Sequence, residues 1–354
     1  MTEELLSTVE GRAGVITLNR PKALNALTQG MIDEMTRVLG AWAEDDSVEL
    51  VILRGAGERG LCAGGDIAYL YNDVGDGRNA ARFWKAEYEL NSLIKHYPKP
   101  YVAIMNGIVL GGGIGVSAHG SHRIVTDDSR IGMPEVSIGY SPDVGGSYLL
   151  AHAPDNLGKH LGFTGLHVGA AEALEAGLAD TYVPADALEG LVAELAQTGD
   201  VSLIDKAAVT PQGGFGDARA EMVEVYSLDT AEEVLAALEE LQATHGEDHW
   251  SKAPLKAMKR NSPLGIKVTE HTLKRAADMT LEEALTQEFW MSMNMQAHPE
   301  FKEGIRAQII DKDRNPKWTY GSLEEVPADV VSGILTPLDD GRFEPPAFTP
   351  QADT

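Results

Sequence analysis

Glu135 and Asp143 are the residues whose type and setting point most directly to chemistry. Both stand in the otherwise apolar segment 131–146, each directly after a proline, Pro134 and Pro142, that stiffens its approach. A carboxylate in apolar surroundings costs free energy unless it is hydrogen-bonded or used. Two such acids can divide a reaction, one acting as base or nucleophile while the other orients water. Taken alone, Asp143 reads as readily as a helix cap or a turn residue.

Two glycine-rich turns upstream strengthen the functional reading: Cys62-Ala-Gly-Gly-Asp66 and Leu110-Gly-Gly-Gly-Ile-Gly115. Glycine has no Cβ, so backbone N–H groups come close to a ligand oxygen. A turn that opens a helix also presents unpaired N–H groups and the positive end of the helix dipole. Two such turns from different parts of the chain can form an oxyanion hole. Either turn taken singly fits tight strand–helix packing equally well.

Other chemistries are weaker. Residues 113–118 satisfy the loose dinucleotide fingerprint, but Asn106-Gly-Ile-Val-Leu110 separates them from the preceding strand. No acid closes a second strand about 20 residues on, as that fold requires. Cys62 has no neighbouring histidine, and Ser117 with His119 lacks the G-x-S-x-G elbow of serine hydrolases. No histidine spacing suggests a metal site, and none is expected.

These residues need elements to position them. Short apolar runs at 14–19, 49–54, 101–105 and 122–126 read as strands, with Val183-Pro184 closing a last one. Thr28 is the expected cap of a helix with Met31, Ile32, Met35, Val38, Leu39 and Trp42 on one face. Residues 79–96 read as a helix carrying Glu87, and Gly111–Gly113 opens another through Ala118. This strand–turn–helix alternation predicts an α/β fold. Further on, helices are expected at 230–245, 251–261, 263–277 and 280–297, with a loop at 199–220.

The 354 residues suffice for one large domain or two modest ones, and the single cysteine excludes an internal disulfide. The net charge of −25 argues against nucleic acid and anionic membranes as partners. Local cations for an anionic ligand are Arg20, Lys22 and the run Lys252–Arg260, the last reading better as a solvated helix face. No run reaches membrane-spanning length. The acidic start, Met1–Leu6, lacks the features of a targeting peptide, so a cytoplasmic location is expected.

Ala63-Gly-Gly-Asp66, Asn106–Gly113 and Met133-Pro-Glu135 resemble the crotonase (enoyl-CoA hydratase/isomerase) superfamily. Within it, the chain resembles the 3-hydroxyisobutyryl-CoA hydrolase branch at Glu87–Asn91, Pro142-Asp-Val-Gly-Gly146, Asn261-Ser-Pro263, Glu303–Ala307, Asp311-Lys-Asp313 and Pro316-Lys-Trp318. The resemblance covers roughly residues 8–320. It implies a spiral of repeated strand–strand–helix units over 1–198, a helical C-terminal region over 199–320 and an extended, partly mobile tail over 321–354. It also implies an acyl-CoA substrate, no separate cofactor and a fold compatible with a homo-oligomer.

By the same resemblance, the N–H groups of Gly65 and Gly112 would hold the thioester oxygen, and Glu135 and Asp143 would be the catalytic acids. Glu87, Ala63, Asp66 and the turn Lys22, Ala23, Leu24 would border the substrate. The family's hydratases carry a second glutamate where this chain has Gly115, and usually glycine where it has Asp143. The acid has in effect moved, which favours thioester hydrolysis. A hydratase or isomerase working through Glu135 alone, and a non-catalytic acyl-CoA-binding protein, are the alternatives. Glutamate at 115 is expected not to restore hydration, because Asp143 would crowd it.

Overall fold

The computed structural model describes residues 3–67, 71, 76–338 and 341–348. Strands β1 (Leu5–Glu10), β2 (Ala13–Leu18), β3 (Leu50–Gly55), β4 (Tyr101–Ile104), β6 (His122–Val125) and β8 (Thr181–Tyr182) form one sheet in the order β1-β2-β3-β4-β6-β8. Only β1 is antiparallel to its neighbour, with Leu5 opposite Leu18; the other pairs are parallel. A second, two-stranded parallel sheet joins β5 (Ile108–Leu110) to β7 (Arg130–Gly132).

Side chains alternate across a strand. Leu50, Ile52, Val102, Ile104 and Ile124 therefore pack on one face beneath Leu191 and Leu195 of the helix Ala185–Thr198. Val51, Leu53, Ala103 and Val125 pack on the other, in a core that also takes in α1 (Gln29–Ala43) and α2 (Arg78–Lys95). Burial on both faces is why these strands read as unbroken apolar runs.

The spiral is visible in the repeat. β4, β5 and α3 (Gly112–Ser117) form one strand–strand–helix turn; β6, β7 and the one-turn helix Glu135–Ile138 form the next. Strands β5 and β7 escape sequence reading because three residues are too few to establish a period. β1 escapes because it is an edge strand with only Leu5 buried.

The C-terminal helices fall at Ala231–His245, Lys252–Arg260, Pro263–Ala276 and Leu281–Ala297, within two residues of expectation. Their caps account for this agreement. Thr230 and Thr280 each form a reciprocal capping box with the glutamate three residues on, and the Ser262 side chain accepts the Gly265 N–H. Two expectations are corrected. The loop at 199–220 contains the short helix Ser202–Ala207, which packs Ile204 against the sheet. The tail is not extended throughout, since Ala328–Ile334 is a helix that buries Val331 and Ile334. The tail's end, residues 349–354, lies outside the described residues.

Candidate active site

Backbone pairing brings the two glycine turns together. The Cys62 N–H donates to Ile108 O at 3.1 Å, and the Leu110 N–H donates to Cys62 O at 2.9 Å. The chain then leaves each pairing through a glycine turn, which sets Gly65 beside Gly112. A methyl group on Gly112 would stand 3.1 Å from Gly65 N. Gly112 is the first residue of α3, so its N–H has no acceptor within the helix. Among the described residues no backbone bond claims the N–H of Gly65.

Three acids converge on this turn. Glu135 begins the one-turn helix after Pro134, and a Cβ on Gly111 would lie 2.9 Å from its Oε1. Glu87 comes from the middle of α2, its Oε1 2.7 Å from where a Gly112 Cβ would be. Asp143 sits in the loop before α4 (Gly146–Ala151) and accepts the Tyr88 hydroxyl at 2.7 Å. Ala63, Gly65, Glu87, Gly112, Glu135 and Asp143 line one cavity of about 140 Å³, walled by Trp84, Tyr140 and Phe301. The Trp84 and Tyr140 rings stack at 6.1 Å, and Phe301 tilts against Tyr140 at 4.9 Å.

Burial and mutual repulsion set the protonation of these acids. Glu87, Glu135 and Asp143 are 2, 6 and 6 % exposed. Burial, reinforced by the charge of Asp143, pushes Glu135 well above the ordinary carboxylate range; burial, Asp143 and Glu135 do the same to Glu87. Glu135 Oε2 and Glu87 Oε1 are buried without a hydrogen-bond partner among the described residues. Burial also raises Asp143, but hydrogen bonding, led by that from Tyr88, holds it at about 6. The site therefore sets an acid held at about 6 beside one pushed well above the ordinary carboxylate range, the arrangement that separates a base from an acid.

Other singled-out residues lie elsewhere. Lys22, Ala23 and Leu24 form a turn outside this cavity, tied to it where the Ala63 N–H donates to Leu24 O at 3.0 Å. Asp66 pairs with Arg20 at 3.0 Å, and Arg20 is further committed to Glu4 and to Ala26 O. Lys252 and Lys259 pair with Glu247 and Glu239, as befits a solvated face. Burial pushes the Cys62 thiol up to about 12, leaving it unreactive. The Ser117 hydroxyl donates to Gly113 O, and His119 faces Val144 O, so the two form no catalytic pair. Glu221, His245 and His249 come within 4.8 Å of one another; the H-x3-H spacing of the two histidines was the signal for this grouping, and Glu221 has none. The structure also adds Tyr88, Tyr140, Ser292 and Glu288 around Asp143. Of these, Tyr140 lay inside the segment 131–146 and Tyr88 inside the stretch Glu87–Asn91, whereas Ser292 and Glu288 carried no signal in the sequence.

A family model described as enoyl-CoA hydratase/isomerase matches residues 13–335. The mitochondrial 3-hydroxyisobutyryl-CoA hydrolase of Xenopus tropicalis is 38% identical over 96% of this chain and 91% of its own length. A solved structure titled carnitinyl-CoA dehydratase, from Mycobacterium thermoresistibile, is 43% identical with a TM-score of 0.90, covering 96% of this chain and 98% of that one. Another, titled enoyl-CoA hydratase, from Rhodobacter sphaeroides 2.4.1, is 40% identical with a TM-score of 0.88, covering 95% and 98%. Several of the curated hydrolases are named as mitochondrial, which overturns the expectation of a cytoplasmic location drawn from the N-terminal residues. Among the described residues no helix is long and apolar enough to cross a membrane. Matched by the family model over most of its length and by this curated relative across nearly all of it, the chain belongs to the enoyl-CoA hydratase/isomerase family.

Proposed function

We propose that the chain hydrolyses the thioester of 3-hydroxyisobutyryl-CoA to 3-hydroxyisobutyrate and CoA. The observation that carries this reading is the pairing of Glu135 and Asp143 across a cavity edged by the Gly65 and Gly112 N–H groups. Curated relatives with this activity in their names support it.

In this reading the thioester oxygen lies between the two N–H groups. Asp143, ionised, takes a proton from water as the water oxygen bonds to the carbonyl carbon. Negative charge builds on the thioester oxygen, where one such donor is worth about 2.7–4 kcal/mol in other enzymes. Collapse breaks the C–S bond, and Glu135, protonated, supplies the proton that makes the departing sulfur a thiol. Water and thioester account for every atom, so no cofactor is required. The alternative left open by the sequence, attack by Glu135 to give a mixed anhydride, requires Glu135 ionised, against the upward push of burial and of Asp143.

This assignment predicts a pH profile. Below about 6 Asp143 takes up a proton and kcat for thiol release falls; as the pH rises far enough for Glu135, pushed up by burial, to lose its proton, kcat falls again. A profile with no acidic limb near that value would remove Asp143 as the base.

The titles of the two solved structures favour a second reading, hydration or dehydration of an enoyl-CoA. Position 115 opposes it. A Cβ on Gly115 would lie 2.7 Å from Val144 Cβ and 2.8 Å from Asn91 Nδ2. Val144 and Asn91, rather than Asp143, are what exclude a second glutamate there. Gly115→Glu is accordingly expected to lose thermal stability and gain no hydration of crotonyl-CoA; efficient hydration by that variant would overturn this reading of the site. The direct test is free-thiol release from 3-hydroxyisobutyryl-CoA beside hydration of crotonyl-CoA on one preparation. Thiol release without hydration is the expected result.

A further inference from the structure

Glu288 is a fully buried carboxylate that the reaction above does not use. It sits in the middle of the helix Leu281–Ala297, far along the chain from the catalytic acids. Its Oε2 accepts the Gly145 N–H at 2.7 Å; its Oε1 accepts the Ser147 N–H at 2.9 Å and the Ser147 hydroxyl at 2.5 Å. Both oxygens accept; burial and the charge of Asp143 push the group up to about 8, and these donors act against that push.

What Glu288 grips is the loop that carries Asp143. That loop is strained at Val144, a β-branched residue with φ 55°. His119, kept neutral by burial, donates its Nε2–H to Val144 O at 2.8 Å from the other side. One turn after Glu288 on the same helix face, Ser292 lies 2.8 Å from the Tyr88 hydroxyl and accepts the Tyr140 hydroxyl. Tyr88 in turn donates to Asp143 at 2.7 Å. Two residues spaced i and i+4 thus contact both the backbone behind Asp143 and the Tyr88 hydroxyl that meets its carboxylate.

We infer that Glu288 is a positioning residue for thioester hydrolysis, holding the strained loop 143–147 so that Asp143 faces the glycine turns. This gives the helix Leu281–Ala297 a part in the reaction although it supplies no group that touches the substrate. The inference rests on the hydrolase reading, because Asp143 is the residue through which Glu288 acts.

Glu288→Gln keeps the shape but turns an amide N–H towards the Gly145 N–H. The expected result is a loss of kcat of about 10²-fold, the order produced by a misplacement of about 1 Å, with KM unchanged. In an Asp143→Asn background, single-turnover rates should change by less than about twofold on adding Glu288→Gln, since the two share one route. An equal loss in both backgrounds, or no loss in either, overturns the inference. Should Glu288→Gln fail to fold, Ser147→Ala removes one donor only, and the same comparison in both backgrounds decides with a smaller kcat loss expected. Wild-type protein that releases no thiol at all would instead sink the hydrolase reading.

Discussion

Glu135→Gln is expected to lower kcat for thiol release by about 10³-fold or more, within the range for removing a general acid, while acyl-CoA binding persists. The amide keeps the size and the apolar contacts of the glutamate but has no proton to give to the departing sulfur. Glu135 Oε2 has no protein partner among the described residues, so the substitution orphans no other buried group and the fold should survive. Calorimetric titration with a non-hydrolysable acyl-CoA thioether would measure binding, and stopped-flow thiol detection the chemistry. Full activity would remove Glu135 from the mechanism.

Gly112→Ala is the second large effect expected. The methyl would stand 2.7 Å from Glu87 Oε1 and 3.1 Å from Gly65 N, in the gap between the two N–H groups. Glu87 presents the flexible end of a side chain there, so it can swing aside and the fold is kept. The thioester oxygen cannot then reach both donors, and the loss of one predicts a fall in kcat of about 10²–10³-fold. Gly40→Ala is the control. Nothing lies within 4 Å of a Cβ at Gly40, in the last turn of α1, so activity should be unchanged and the helix stabilised. Wild-type kcat in Gly112→Ala would mean that the oxygen is held elsewhere.

Much of this site could be read from local sequence. The glycine turns, the prolines before Glu135 and Asp143, and the threonine caps of the C-terminal helices all act over a few residues, where residue type and spacing carry the information. Glu288 could not be read that way. On its own helix it is one more glutamate, and its burial follows only from packing against the loop at 145–147. Asp66 shows the converse: its place in the Gly-Gly-Asp motif suggested a border of the substrate, yet its carboxylate faces Arg20. The true obstacle at position 115 was equally hidden. Asn91 lies on α2 and Val144 in the loop, and only the packed spiral sets both against α3.

The cavity wall has a consequence for how the protein is made. Phe301 and Ile309 close the same cavity that Glu87, Glu135 and Asp143 line. Synthesis runs from the N-terminus, so the acids and both glycine turns leave the ribosome long before the residues that close the cavity. A nascent chain halted ahead of the helix Pro299–Ile305 would have its reactive groups facing an open trough accessible to bulk water. Closure of the cavity waits for the helix Pro299–Ile305 and the segment that follows it.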